Sequence, residues 1–133
     1  MCNSNKKITP NTGMALLTTA NPNLNGTGSI VDIITGANDG TMIDSLTIKS
    51  LVSNNQGMIR LFIKDLSSVY YLFQEIMIPT TVPTSVVQSY AATVELGINL
   101  KAGYSLAAST QLSENFSLIA YGTNYEMCDC NVK

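Results

Sequence analysis

The stretch 58-MIRLFIKD-65 decides the fold. In an extended chain Ile59, Leu61 and Ile63 fall on one side and Arg60 and Lys64 on the other. That period of two marks a strand with one face in a core. A tight Leu66-Ser67-Ser68 link follows, then 70-YYLFQEIMI-78, rich in aromatic and branched residues, so the two runs predict a β-hairpin. Outward from this pair the same grammar repeats. Short runs of strand-forming residues alternate with turn signals such as Asn25-Gly26, Asn38-Asp39-Gly40 and Asn54-Asn55-Gln56-Gly57.

The strands read as residues 14–20, 27–35, 41–50, 58–65, 70–78, 90–98, 104–110 and 116–123. Residues 79–89, with two prolines and three threonines, form a surface loop. Met14-Ala15-Leu16-Leu17 could open a helix, but Thr18-Thr19 and then Pro22 stop it. The pattern therefore predicts an all-β fold of about eight strands, an antiparallel β-sandwich resembling a jelly roll, with a closed barrel as the alternative. Residues 1–13 form an extended N-terminal arm, 14–125 the sandwich domain and 126–133 a C-terminal tail. The expected core comprises Ile30, Leu46, Ile48, Ile59, Leu61, Ile63, Leu72, Ile76, Val94, Leu96, Leu106, Phe116 and Leu118.

Composition narrows the function. The 133 residues are 45% hydrophobic but only 12% charged, about half the ~25% usual for globular domains. Uncharged polarity takes the place of charge: 13 Ser, 14 Thr and 13 Asn. Hydroxyls and amides can be buried against a neighbour at lower desolvation cost than charges, which points to packed assembly. The net charge is −2, and the seven basic residues are scattered. They offer nucleic acid no basic stripe. No apolar run approaches the ~20 residues of a membrane helix, and MCNSNKKITP lacks the apolar core of a signal peptide. The expectation is a protein made and used without secretion, with no nucleic-acid or membrane partner.

Catalysis has little to work with. The chain has no histidine, which removes Ser-His-Asp and Cys-His nucleophiles and the commonest metal ligand. The acidic residues Asp32, Asp39, Asp44, Asp65, Glu75, Glu95, Glu114, Glu126 and Asp129 sit mostly at turns or outward strand positions. No enzyme, no catalytic residue and no cofactor is expected. Cys128-Asp129-Cys130, with Cys2, could hold a soft metal, but structural zinc wants four ligands and a different spacing. The three thiols are read as reduced, unbridged and metal-free. Asp39 with Asp32 and Asp44 lacks calcium-loop spacing. The tyrosines Tyr70, Tyr71, Tyr90, Tyr104, Tyr121 and Tyr125 could stack on sugar. Strand and interface propensity explains them more simply.

Four phrases, 25-NGTGSIV-31, 40-GTMIDSLTI-48, 57-GMIRLFIKD-65 and 106-LAASTQLSENFSLIAY-121, resemble a group of small β-sandwich virion proteins of tailed bacteriophages. These are capsid auxiliary or decoration-type proteins, including those of crAss-like phages. The resemblance spans about residues 14–123 and leaves out the arm and the Cys-x-Cys tail. It implies a β-sandwich located on the virion, assembled in the host cytoplasm. The partners it implies are the major capsid protein, other virion proteins and further copies of the chain in a homo-oligomer. The competing readings are a carbohydrate- or receptor-binding module of a head or tail fibre, and a neck or tail component.

Overall fold

A computed structural model describes residues 7–126; Cys2, Cys128 and Cys130, and with them the reading of free thiols, lie outside the described residues. Eight strands run β1 (Lys7–Leu17), β2 (Val31–Thr35), β3 (Thr41–Ser50), β4 (Gly57–Lys64), β5 (Tyr70–Ile78), β6 (Ala91–Leu100), β7 (Ser105–Thr110) and β8 (Phe116–Glu126). There is no helix among the described residues. The all-β expectation holds, and so does the hairpin: β4 pairs antiparallel with β5.

Pairing is nested. β4 pairs with β5, β3 with β6, β2 with β7 and β1 with β8, all antiparallel. The chain is thus one long hairpin whose closed end is the β4–β5 turn. Folded over on itself, it adds the pairs β3–β8 and β4–β7. The result is two four-stranded sheets, β1-β8-β3-β6 and β2-β7-β4-β5. That is a jelly-roll sandwich.

The core lies between the sheets. Leu46, Ile48, Ile59, Leu61, Leu106, Phe116 and Leu118 are buried there as expected, and Ile63, Ile76, Val94 and Leu96 pack against them partly buried. Two expected members sit elsewhere. Leu72 has the same parity as Ile76, which assigns both to the inner face. However, Leu61 faces Gln74 while Phe62 faces Leu72, so Phe73 is an extra residue in β5. This bulge flips the parity. Leu72 turns outward and is exposed. Ile30 stands one residue before β2, partly buried. The consecutive Ile33 and Ile34 of β2 are both buried instead, beside a register shift between Asp32 and Ile34.

Two elements differ most in extent from their sequence pattern, while β6 and β8 run two and three residues further than theirs. The pattern starts the first strand at Met14, whereas pairing starts at Lys7 opposite Glu126 and continues unbroken to Leu17 opposite Phe116. Polar residues and Pro10 conceal the first half. β1 is an edge strand, where a proline can sit without removing a ladder bond. The pattern also reads 27–35 as strand, but residues 27–30 belong to a loop. There the Asn21 amide donates to the Thr27 and Ser29 carbonyls at 2.9 and 3.0 Å, and the Asn23 N–H donates back to Asn21 Oδ1 at 3.0 Å.

This loop crosses the outer side of the second sheet. At one margin the Asn21 N–H donates to the Thr110 carbonyl at 2.8 Å. At the other, Gly26 (φ 85°) lies so close to Tyr70 that a Cβ would come 2.5 Å from its carbonyl oxygen. The outward residues Phe62 and Ala107 are fully buried, and the Tyr70 ring meets Phe62 edge-on at 6.3 Å. Arg60, on the polar side of the deciding strand, is only 8% exposed. That side does not face open water.

Candidate functional site

Three places concentrate functional groups: the outward surface of the second sheet, the β4–β5 turn beside it, and the outward surface of the first sheet. In the second sheet the charges of β4 are answered strand by strand. Arg60 stands opposite Glu75, and its Nε donates to Glu75 Oε1 at 2.9 Å. Its Nη1 is buried without a hydrogen-bond partner, a costly arrangement for a guanidinium. A shallow depression of about 530 Å³ adjoins it, lined by Gln56, Gly57, Met58, Arg60, Met77 and Gln111. Both carboxylate oxygens of Asp32 are used: Oδ2 takes the Lys64 ammonium and Oδ1 takes the Tyr70 hydroxyl at 3.0 Å. The Asp32 hydrogen bond raises the Lys64 pKa above its ordinary value, against a small opposing effect of burial. Burial raises that of Tyr70, and the bond to Asp32 adds to it.

Asp65 holds the turn. Its Oδ1 accepts the N–H groups of Ser67 and Val69 at 2.9 and 3.0 Å, and its Oδ2 accepts the Tyr71 hydroxyl at 3.2 Å. These bonds favour the ionised form, the Val69 N–H most, and hold the carboxyl below its ordinary pKa. Ser68 takes the left-handed conformation (φ 63°) that closes the loop. All of these contacts read as structural. The carboxylates of Asp32, Asp65 and Glu75 are engaged by cations, turn amides or tyrosine hydroxyls; Glu114, likewise, accepts the Asn55 N–H at 2.7 Å.

Among the described residues, no three acidic or sulfur-bearing side chains gather where a metal could bind. The tyrosines serve different contacts. Tyr70 and Tyr71 bond different aspartates, Tyr90 and Tyr104 pack against the core, and Tyr121 is exposed on the first sheet. Phe62–Tyr70 is an aromatic pair within one sheet and offers no stacking platform.

The outward surface of the first sheet is of another kind. Register places Met14 beside Ile119, Leu16 beside Ser117 and Thr12 beside Tyr121, with Ser45 and Thr47 of β3 continuing the same rows. Met14, Leu16 and Tyr121 are exposed. Lys49 is the one cation in β3, and its ammonium is held by the Ser89 carbonyl at 3.1 Å. Hydroxyls and apolar groups dominate these rows, with Lys49 in one and Glu95 of β6, opposite Ser45, at the margin of another. The sequence pattern could not find this patch, because Met14 and Leu16 look like core residues until pairing shows that Ala15 and Leu17 point inward.

No family model matches this sequence, and no curated protein is similar to it at the sequence level. Solved structures share the fold. A chain in the acid-stable capsid structure of Helicobacter pylori bacteriophage KHP30 superposes with a TM-score of 0.54 and 5% identity, over 93% of this chain and 98% of that one. Eiger TNF from S. frugiperda superposes with a TM-score of 0.54 and 10% identity, over 95% of each chain. A chain of the cyanophage Pam1 capsid asymmetric unit follows at 0.44 and 16% identity, over 91% and 85%. The sandwich is thus a fold that a phage capsid chain also has, matched from end to end.

Proposed function

We propose that this chain is a structural protein of a bacteriophage virion: a capsid auxiliary or decoration protein that packs on the major capsid protein and stabilises the head. The observation that carries the reading is the outward surface of the first sheet, a face mainly of hydroxyls and apolar groups with Met14, Leu16 and Tyr121 exposed and charge in its paired rows only at Lys49 and Glu95. Such a surface loses little on desolvation and gains from apolar burial. The fold supports the reading, because a whole-length match is a phage capsid chain. Eiger TNF matches with the same TM-score, so the choice between them rests on the surface and on the resemblance of the strand phrases to tailed-phage virion proteins, crAss-like phages among them.

On this reading the chain performs no reaction. It acts through many copies, in contact with other virion proteins, and it joins the particle in the host cytoplasm. A sugar-binding fibre module would present tyrosine rings free to stack, whereas Tyr70 and Tyr71 are tied to aspartates and Tyr90 and Tyr104 pack against the core.

The test adds purified chain to capsids of the same phage that lack it. The chain is expected to sediment with the shells and to raise the temperature at which they rupture. Leu16→Lys should weaken that binding without unfolding the sandwich. A chain that stays in the supernatant and instead binds host-surface glycans would replace this reading with the fibre module.

A further inference from the structure

The sandwich is closed along one side and open along the other. On the closed side β1 lies against β2 so tightly that a Cβ on Gly13 would come 2.6 Å from the Ile34 Cβ. Leu17, Ile33 and Ile34 are buried there. The opposite side is bounded by β5 and β6, the other two edge strands, which make no comparable approach. The core residues behind them stay unfinished: Ile76, Val94, Leu96 and Ile98 are only partly buried. Tyr71, at an inner position opposite Ile63, is 56% exposed, and Phe73 on the bulge is 39% exposed.

Natural sheets protect open edges with lysine, proline or inward charge. Neither β5 nor β6 contains a lysine or a proline, and each has a single acidic residue, Glu75 and Glu95. Glu75 is already paired with Arg60. Both strands are interrupted by bulges, at Phe73 and at Leu96–Gly97, which disfavours a continuous added strand and favours side-chain packing. Tyr71 and Phe73 with the half-covered residues of β6 on the open side, and Leu72 and Met77 on the adjoining outer face of the same edge strand, together leave on the order of 500 Å² of apolar side chain in water, taking about 200 Å² for a large side chain. That exceeds half of the ~800 Å² each partner gives to a stable interface. The near absence of charge leaves no feature to select an acidic or basic partner. An apolar, uncharged patch suits its own copy across a two-fold axis.

We infer that the β5–β6 side is a self-association surface, covered by the same side of a second copy, so that two sandwiches complete each other's cores. This holds whether or not the chain is a virion protein. Sedimentation velocity of the full chain over a wide concentration range tests it. The expected result is a species of at least twice the chain's mass. Tyr71→Lys with Phe73→Lys should reduce it to the chain mass with an unchanged β-rich circular dichroism spectrum, while Leu16→Lys on the first sheet should leave it intact. Should the double variant fail to fold, hydrogen exchange of the unmodified chain decides. Amides of residues 71–77 and 94–98 should exchange more slowly at high concentration than at low. A chain that is monomeric at every concentration, an assembly broken by Leu16→Lys but not by the β5 changes, or exchange in these segments that ignores concentration would overturn the inference. Binding to phage shells by a strictly monomeric chain would overturn it too, while leaving the virion reading in place.

Discussion

At Gly13 the two sheets meet with no room for a side chain: besides the Ile34 Cβ, the Ile33 carbonyl oxygen would clash with any Cβ. Both are backbone or near-backbone atoms, and they cannot rotate away. Gly13→Ala should therefore lower stability by about 1–3 kcal/mol, the range for overpacking a filled site. It would appear as a lower urea midpoint at unchanged slope; an unchanged midpoint would mean that the β1–β2 contact is looser than described. Asp65 is the other residue with a sharp expectation. Its carboxyl is held below its ordinary pKa by the Val69 and Ser67 amides and the Tyr71 hydroxyl. A depressed folded pKa gives stability that is complete above the unfolded value of about 3.9 and is lost as pH falls through the folded one. An NMR titration should place the Asp65 midpoint below the ordinary value, and Tyr71→Phe should move it back up. Residues of this kind show the limit of periodicity. Ile59, Leu61 and Ile63 follow it faithfully, whereas Leu72 does not, because one inserted residue at Phe73 reverses every position on the far side of it.

Among the elements, the loop between β1 and β2 contributes more than a connection. Asn21 is buried and uses its amide to fasten the loop to itself and its backbone N–H to fasten it to β7. Asn21→Ala leaves the Thr27 and Ser29 carbonyls without their donor, at an expected cost of about 1–3 kcal/mol. Phe62, under the loop, should then become accessible to solvent, and amides of residues 22–30 should exchange faster while those of β3 do not. An unchanged exchange pattern would show that the loop is held by other means. The loop was illegible in sequence because 27-TGSI-30 leads straight into 31-VDIIT-35 and looks like its beginning; only the Asn21 bonds and the turn at Gly28 (φ 87°) separate them. By contrast, Asn38-Asp39-Gly40 was legible, because Gly40 supplies a positive φ of 95° where the turn requires one. The first half of β1 was not, because an edge strand tolerates Pro10 and polar residues that a central strand would refuse.

For the molecule as a whole, the class of fold follows from alternation and turn spacing, while the order of strands within each sheet requires pairing that no local pattern records. Nesting converts eight ordinary strands into two sheets with one closed and one open side, and it places a sparsely charged face on the first sheet. The carboxylates of Asp32, Asp65, Glu75 and Glu114 are tied to neighbouring side chains or turn amides. The central claim is that the molecule's surfaces build a virus particle. The measurement that tests it most directly is an electron-microscopy map of the intact particle at a resolution that traces strands. Density is expected for this jelly roll, strand order β1-β8-β3-β6 over β2-β7-β4-β5, seated on the capsid shell in many symmetry-related copies. A particle whose shell is fully accounted for by other chains, with this sandwich found only at a fibre tip or not at all, would contradict it.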